Sequence, residues 1–351
     1  MRSILRNRNF KGQLWKSLAR DGESDDGNVG LTGNTVERSP TTLARMSTSA
    51  HRKGPFREGD LAQLTDPKGK LHTVKLTSGK VFHTHRGGVD HDAIIGLESG
   101  SVISTTNGAA YLVLRPLLDD FVLSMPRGAT PVYPKDAARI VGLMNLHPGD
   151  RIAEAGVGSG ALTCSLLKAI GSNGQLFSYE RREEFAKVAE TNVTTWFGAQ
   201  PQSWTLKLGD FALDLEEQDL DAVVLDMLAP WECLEKVAAA VCPGGVMIGY
   251  VATTTQLSKF VESIRVTGQW TEPRAEESLL RTWHLDGLSV RPDHRMNGHT
   301  GFLVSCRRLA PGAQLPPRRR RPAPGAYGED YTGPGAERAV TEQNNVQQLE
   351  S

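Results

Sequence analysis

Two kinds of hydrophobic patterning divide the chain. Between residues 59 and 115, short apolar runs at 71–76 and 81–85 are separated by the turn sequences DPKG at 66–69 and SG at 78–79. Glycine, proline and aspartate at this spacing are typical of turns between strands. The pattern therefore predicts a small N-terminal all-β domain, which we assign to residues 54–116.

From residue 131 onward, apolar positions alternate between the period of a strand and that of a helix; Leu162, Leu166 and Ile170, for example, share one helical face. The pattern predicts strands over 151–155, 175–179, 204–208, 222–226 and 246–252, and helices from Pro134 and over 161–170, 181–197 and 231–241. Such alternation is typical of a parallel, doubly wound sheet. We therefore predict an α/β, Rossmann-like domain over 117–310, closed by a pair of strands at 281–290 and 301–307.

Both ends of the chain lack this patterning, and we expect residues 1–53 and 311–351 to be disordered. The first twenty residues carry six basic side chains and no acid, as mitochondrial transit peptides do, but we favour a dispensable extension before Met46. The C-terminal segment is rich in proline and glycine around four arginines at 318–321. These arginines could contact RNA, but we favour a solubilising tail.

Composition excludes several classes of protein. The chain has 351 residues with 40 Lys and Arg against 40 Asp and Glu, which argues against nucleic-acid binding through bulk charge alone but allows a local basic surface. No apolar stretch reaches the roughly 18 residues of a membrane helix. The four cysteines lack CxxC spacing, so we expect no structural zinc and a reducing, cytoplasmic setting.

The candidate chemistry lies at a glycine-rich turn and three acids. Gly156, Gly158 and Gly160 stand between a predicted strand and a predicted helix, where glycine permits a sharp turn and close approach of a ligand. Glu180, Asp210 and Asp226 each follow a predicted strand, and the carboxyl ends of parallel strands meet at one edge. Three carboxylates disfavour a phosphate-rich dinucleotide. They suit a cationic nucleoside such as S-adenosylmethionine.

Several motifs resemble those of class I S-adenosylmethionine-dependent methyltransferases. The resemblance extends over about residues 54–311 and is most specific to the tRNA (adenine-58-N1)-methyltransferases, in particular to the actinobacterial type of the TrmI family. The motifs that carry it are HDAIIG at 91–96, YPKD at 133–136, EAGVGSGAL at 154–162, LDMLAPW at 225–231, CPGG at 242–245 and GHT at 298–300.

This resemblance implies a methyl transfer from S-adenosylmethionine to N1 of adenine 58 in the T-loop of tRNA, giving 1-methyladenosine, by a homotetramer. It implies that the methionine part and the adjoining sugar of the cofactor are held by Ser159, Gly160, Ala161 and Leu162. Glu180 would hold the ribose, Phe185 would line the adenosine pocket, and Asp210 would meet the adenine amino group. Asp226 would lie beside the transferred methyl.

The chemistry of the transfer favours the same acid. Adenine N1 has an in-plane lone pair, so no strong base is needed, and positive charge appears on the base as the methyl arrives. A carboxylate that accepts a hydrogen bond from the exocyclic amino group would stabilise that charge. We assign this role to Asp226, with a structural acid as the alternative. Tyr133 could stack on the base, which must flip out of the folded tRNA, or simply pack against the helix.

The predicted β-domain is rich in histidine and basic residues: His72, His83, His85, His91, Lys68, Lys70, Lys75, Lys80 and Arg86. We expect no metal site, because no pair has HxxxH spacing, and we favour contacts to tRNA over an ordinary solvated sheet face. Two other functions stay open. One is a methyltransferase with another acceptor, such as a protein carboxyl group, and the other is a non-catalytic tRNA-binding scaffold.

Overall fold

The computed structural model describes residues 53–315. The predicted disorder of residues 1–53 and 311–351 therefore falls, apart from residues 53 and 311–315, outside the described residues. The N-terminal part of the described chain is all β. Its strands are β1 Leu61–Thr65, β2 Leu71–Lys75, β3 Val81–Thr84, β4 Gly87–Asp90, β5 Ser101–Ser104 and β6 Ala110–Leu114.

Four of these strands form an antiparallel sheet in the order β2-β1-β6-β5, and β3 and β4 form a separate hairpin. A compact apolar cluster fills this region, with Phe56, Leu64 and Tyr111 among its fully buried members. A short 3₁₀ helix at His91–Ala93 follows β4. The prediction of a small all-β region in this part of the chain is confirmed.

The rest of the described chain alternates strands and helices. Its helices are α1 Leu118–Ser124, α2 Pro134–Met144, α3 Ala161–Ile170, α4 Glu183–Phe197, α5 Phe211–Asp214, α6 Leu234–Ala240 and α7 Thr254–Thr267. Its strands are β7 Arg151–Ala155, β8 Gln175–Glu180, β9 Trp204–Leu208, β10 Leu220–Asp226, β11 Val241–Val251, β12 Arg274–Glu276, β13 Trp283–Asp286, β14 Ser289–Pro292 and β15 Phe302–Arg307.

Seven strands form the main sheet, in the order β12-β15-β11-β10-β7-β8-β9. The strands from β7 to β11 are parallel to one another, and β15 runs antiparallel to β11. Alternate side chains bury on opposite faces: Ile152 and Val224 belong to one apolar cluster, Ala153 and Val223 to the other. Burial on both faces explains why these strands read as continuous apolar runs.

The α/β class with a small N-terminal β region is confirmed, and the strand 151–155, the helix 161–170 and the strand 204–208 have their predicted bounds. The segment 231–241 is instead a 3₁₀ turn at Pro230–Cys233, followed by α6 from Leu234 to Ala240. Helix α7 was not predicted, although Thr253 and Gln256 form a capping box at its start.

The strand predicted over 301–307 is confirmed as β15, but its predicted pairing with a strand over 281–290 is wrong. Strand β15 pairs with β11 and with the short β12, whereas the predicted strand over 281–290 covers β13 and reaches into β14, which pair only with each other. A tight turn at Gly287, whose φ of 53° favours glycine, folds this segment back on itself. No helix within residues 53–315 is long and apolar enough to cross a membrane.

Gly249 offers a test of this packing, because a Cβ atom there would overlap the Phe260 ring of α7. We expect Gly249→Ala to lower the free energy of unfolding by about 1–3 kcal/mol. In the matched variant Gly142→Ala, open space surrounds the new methyl on α2, and we expect a gain of about 0.5–1 kcal/mol. Urea unfolding followed by circular dichroism measures both. Equal stabilities would contradict the packing of α7 on β11.

Candidate active site

The glycine turn crosses the end of a neighbouring strand. Gly156, Gly158 and Gly160 all have positive φ, between 55° and 82°. A Cβ atom on Gly156 would overlap the backbone oxygen of Asp226, and one on Gly160 would lie 3.2 Å from the Cα of Ala189 in α4. Both positions therefore require glycine because of close backbone contacts, and the turn places the Asp226 backbone close to the first residues of α3.

Glu180 closes the turn from the β8 side. Its Oε2 accepts a hydrogen bond from the Gly158 N–H at 3.0 Å, and its Oε1 accepts one from the Arg182 N–H at 3.1 Å. The Arg182 guanidinium also lies 3.4 Å from Oε1. Oε1 therefore accepts two hydrogen bonds from Arg182, whereas Oε2 accepts one and can accept a second. Glu180 is therefore held rigidly and still has acceptor capacity.

Asp210 follows β9 and begins α5. Its Oδ1 accepts a hydrogen bond from the Ala212 N–H at 3.0 Å, and its Oδ2 lies 2.6 Å from Nη2 of Arg181. The hydrogen bond from Arg181 is the main reason that the pKa of Asp210 lies below its usual range. Asp210 is thus ionised and paired with a partly exposed arginine.

Phe185 lies in the first turn of α4 with a cation on its face. The Arg182 guanidinium carbon is 3.6 Å from the ring centroid, and the backbone of Gly128 approaches the ring so closely that a Cβ atom there would lie 2.6 Å from it. The Ser159 hydroxyl donates to the Ala129 carbonyl at 3.3 Å in the same 128–129 segment. Segment 128–129 and α4 therefore enclose the entrance to the glycine turn.

Helix α3 begins directly after this turn. Gly160 is its N-cap and supplies no side-chain hydrogen bond, and Ala161 and Leu162 form its first buried residues. The free N–H groups of a helix's first turn carry partial positive charge. This end of the site therefore suits an anionic group, while the acids around it suit a cationic one.

Asp226 ends β10 and has the least satisfied carboxyl of the three predicted acids. No hydrogen-bond donor in residues 53–315 contacts its carboxylate, and burial, reinforced by the charge of Glu180, raises its pKa to about 7. A desolvated carboxylate without a donor interacts strongly with an amino group or a cation that reaches it.

Glu154 is a fully buried fourth acid, to which the sequence analysis gave no role. Its Oε2 accepts hydrogen bonds from the Thr163 hydroxyl at 2.7 Å and the Ser178 hydroxyl at 2.9 Å, and Ser178 in turn accepts from Nε1 of Trp204 at 3.0 Å. Burial raises the pKa of Glu154 to about 8, against the effect of these hydrogen bonds. At neutral pH it is mostly protonated and ties β7 to β8, β9 and α3.

Tyr133 lies just before α2 and is half-buried. Its carbonyl accepts hydrogen bonds from the N–H groups of Asp136 and Ala137, both at 2.9 Å. Within the described chain, its side chain makes no hydrogen bond or ring contact with Asp226 or another predicted site residue. Tyr250, which the sequence analysis missed, is instead the residue of β11 that stands beside Asp226 in the parallel register.

The YPKD and GHT motifs meet at this point. The Tyr250 hydroxyl donates to Oδ2 of Asp136 at 3.2 Å, and Lys135 and Thr300 complete a cluster around the same carboxylate. Both motifs were singled out in the sequence, but apart from Tyr133 their residues were given no role. The contact between the two motifs joins segments more than 160 residues apart, so the sequence alone does not predict it.

The histidines of the β region do not converge. His91 is buried and its Nδ1 accepts a hydrogen bond from the Thr77 N–H at 3.0 Å. His72 packs against Phe82, and His85 accepts a hydrogen bond from Arg86. Across residues 53–315, no three His, Cys, Asp or Glu side chains are grouped so that they could hold a metal ion.

Comparison with known proteins identifies the family to which this arrangement belongs. Residues 54–103 match the family described as TrmI-like N-terminal, and residues 110–291 match the family described as tRNA methyltransferase complex GCD14 subunit. The two matches together span the β region and most of the α/β region.

Two curated relatives are similar over nearly their whole length. The tRNA (adenine(58)-N(1))-methyltransferase TrmI of Thermus thermophilus is 39% identical over 246 residues, which are 70% of this chain and 95% of the relative. The tRNA (adenine(57)-N(1)/adenine(58)-N(1))-methyltransferase TrmI of Methanocaldococcus jannaschii is 30% identical over 269 residues, 70% of this chain and 93% of that relative.

Two solved structures are similar in fold. A SAM-dependent O-methyltransferase from Thermotoga maritima superposes with a TM-score of 0.70 at 33% identity, over 74% of this chain and 96% of that one. The tRNA (m1A58) methyltransferase TrmI from Aquifex aeolicus gives 0.64 at 29% identity, over 73% of this chain and 100% of that one. The chain therefore belongs to the TrmI family of tRNA (adenine-58-N1)-methyltransferases, with the class I fold whose cofactor is S-adenosylmethionine.

Proposed function

We propose that this protein transfers a methyl group from S-adenosylmethionine to N1 of adenine 58 in the T-loop of tRNA, giving 1-methyladenosine. The observation that carries the proposal is Asp226, a desolvated carboxyl without a donor beside the glycine turn, in a chain of this family. A scaffold without catalysis has no need of such a group, because its burial costs stability.

The residues fit the charge pattern of the cofactor. S-adenosylmethionine combines an amino-acid carboxylate, an ammonium, a sulfonium and a ribose diol. We assign the carboxylate to the uncapped first turn of α3, with Ser159, Gly160, Ala161 and Leu162. Glu180 has the acceptor capacity for the ribose hydroxyls. Phe185 flanks the adenosine, and Asp210 accepts from its amino group once Arg181 shares the carboxylate.

Asp226 orients the target base and stabilises the product charge. When bound, the cofactor supplies an electrophilic methyl on a cationic sulfonium, which adenine N1 attacks through its lone pair. The Asp226 carboxylate accepts a hydrogen bond from the exocyclic amino group and thereby aligns N1 with the methyl. Positive charge then develops on the adenine, next to a carboxylate in a poorly solvated position. Tyr133 stays a candidate for packing against the flipped base.

We further propose that residues 54–116 contact the tRNA and that residues 117–310 form the catalytic domain. Within the β region, the side chains of Lys68, Lys70, Lys75, Lys80, His83 and His85 are exposed. Exposed basic groups neutralise phosphates without reading the bases. A neutral total charge is compatible with this local surface.

We also propose that the protein assembles as a homotetramer in the cytoplasm. The β13–β14 hairpin exposes a row of apolar side chains that water solvates poorly: Trp283, Leu285, Leu288 and Val290, with Leu285 73% exposed. Isolated two-stranded hairpins are marginally stable, and an apolar patch of this kind is typical of an interface. A second copy of the chain is the occupant that the resemblance implies. The four free cysteines suit a reducing compartment.

A direct assay tests the function. We expect the purified chain to transfer radiolabel from S-adenosylmethionine to unmodified tRNA, and nucleoside analysis to find 1-methyladenosine at position 58. In Asp226→Asn, we expect kcat to fall by about 10²–10³-fold, as when one charge-stabilising group is removed, with cofactor affinity little changed. Label on protein or on another nucleoside would replace the proposed acceptor. An unimpaired Asp226→Asn would remove Asp226 from the mechanism.

The raised pKa of Asp226 predicts a pH dependence. The carboxyl must be ionised to accept the hydrogen bond and offset the charge, so kcat/KM rises as the pH increases through about 7. The midpoint for kcat lies lower, because the bound sulfonium favours the ionised carboxylate. Initial rates from about pH 5.5 to 9 measure both profiles. We expect the residual rate of Asp226→Asn not to rise with pH in this way. If the variant shows the same rise, another group is responsible for the pH dependence.

The assembly proposal has its own test. We expect Leu285→Glu combined with Val290→Glu, which places two charges on facing hairpin positions, to lower the mass measured by light scattering below that of the wild-type oligomer. Val102→Glu is the matched control, because Val102 is 65% exposed on β5 outside the hairpin. An unchanged mass in the double variant would move the interface elsewhere.

A further inference from the structure

A buried charge cluster lies between the YPKD and GHT motifs. Asp136 is fully buried in the first turn of α2, and the Lys135 side chain is 11% exposed. The Lys135 ammonium has three acceptors for its three protons: Oδ1 of Asp136 at 2.7 Å, the Ser278 carbonyl at 2.7 Å and Oγ1 of Thr300 at 2.6 Å. This pair is thus fully hydrogen-bonded by three separate segments of the chain.

The second oxygen of Asp136 holds two hydroxyl groups. Its Oδ2 accepts from Thr300 at 2.6 Å and from Tyr250 at 3.2 Å. The backbone of Gly301 lies against the Tyr250 ring, since a Cβ atom there would overlap it. The ring is therefore fixed at its hydroxyl by Asp136 and at one face by the residue after Thr300.

His299 fastens the same segment to the sheet. Its Nε2 lies 2.8 Å from the Ala252 carbonyl and its Nδ1 lies 3.1 Å from Oε2 of Glu277, while its ring packs 4.6 Å from Phe302. Both ring nitrogens face acceptors, so the protonated imidazolium fits best, and the Ala252 carbonyl followed by Glu277 raises the pKa of His299. These contacts hold segment 298–301 against the carboxyl end of β11.

The fixed ring stands beside the reaction centre. Tyr250 and Asp226 are register partners on adjacent parallel strands, and both lie at the carboxyl edge of the sheet. Burial, with the charge of Asp136, raises the pKa of the Tyr250 hydroxyl. Tyr250 is therefore a permanent hydrogen-bond donor to Asp136, which is consistent with a transfer that needs no general base.

Buried ion pairs are weak sources of stability, because desolvation of the charges offsets much of their attraction. A fully hydrogen-bonded pair does, however, define the geometry of the groups around it. We propose that Asp136 and Thr300 are positioning residues that hold the Tyr250 ring as a wall of the pocket in which Asp226 receives the target adenine. This inference rests on the proposed methyl transfer and assigns the two motifs a role in orienting the base.

The test compares Thr300→Val with Thr300→Ser. Valine keeps the volume of threonine but loses the hydroxyl that joins Lys135 to Asp136, so Tyr250 loses its fixed partner. We expect kcat for tRNA methylation to fall by about ten- to a hundredfold, the range for a small misplacement of a reacting group. We expect the dissociation constant for S-adenosylmethionine to change by less than about twofold, because distant sites that share no partner act nearly independently. Serine should restore most of the rate.

Two further variants separate positioning from folding. Tyr250→Phe keeps the ring and removes only its hydroxyl, and we expect the same selective fall in kcat. Thr271→Val is the matched control, because its hydroxyl accepts from the Arg307 N–H at 3.0 Å near the other end of β15; it should leave kcat unchanged.

The outcomes are distinguishable. If the wild-type chain places no label in tRNA, the proposed function fails and the positioning role fails with it. If the wild type is active and Thr300→Val or Tyr250→Phe retains its kcat, only the positioning role is overturned. A parallel loss of cofactor affinity, melting temperature and kcat, without rescue by serine, would also overturn it, because the cluster would then serve folding alone.

Discussion

The crossing of the Gly156 backbone over the end of β10 determines the rest of this site. Because the glycine turn and Asp226 occupy adjacent strand ends, Glu154, Glu180 and Asp226 influence one another electrostatically. Like charges this close in a poorly solvated place are costly. Three features reduce this repulsion. Glu154 is mostly protonated at neutral pH, and Glu180 accepts hydrogen bonds from two backbone N–H groups. The raised pKa of Asp226 lies close to neutral pH, so this carboxyl is only partly ionised.

This distribution explains how one edge of the sheet serves a ligand of mixed charge. Glu180 accepts hydrogen bonds from two backbone N–H groups, which fix the position of its carboxylate. Asp226, unsatisfied and desolvated, gains most when positive charge arrives. Glu154 is mostly protonated at neutral pH and connects the strands beneath. The carboxyl group thus occurs in three different environments, which hydrogen bonding and burial distinguish.

The parts of this site that sequence predicts are those in which neighbouring residues act together. The turn from Gly156 to Gly160 and the acids that end β8 and β10 follow from strand–turn–helix spacing, because parallel strand ends meet at one edge. The partners of Asp210 and Phe185 do not follow from this spacing, because Arg181 and Arg182 reach them through side-chain conformations that no periodicity encodes. Tyr250 and Thr300 depend on strand order, so the error in pairing the last strands also concealed their contact with Asp136.

The antiparallel direction of β15, which the predicted pairing of the last strands missed, matters for the site. A strand parallel to β11 would begin at the opposite edge of the sheet, far from the carboxyl ends. Because β15 is antiparallel, its first residue pairs with the last residue of β11, Phe302 with Val251. The segment that precedes β15 therefore reaches the carboxyl edge of the sheet without a crossover connection. It brings His299 to the Ala252 carbonyl and Thr300 to Asp136, the acceptor of the Tyr250 hydroxyl. The parallel strands thus position the glycine turn and its acids, and one reversed strand brings the segment of His299 and Thr300 to the same edge of the sheet.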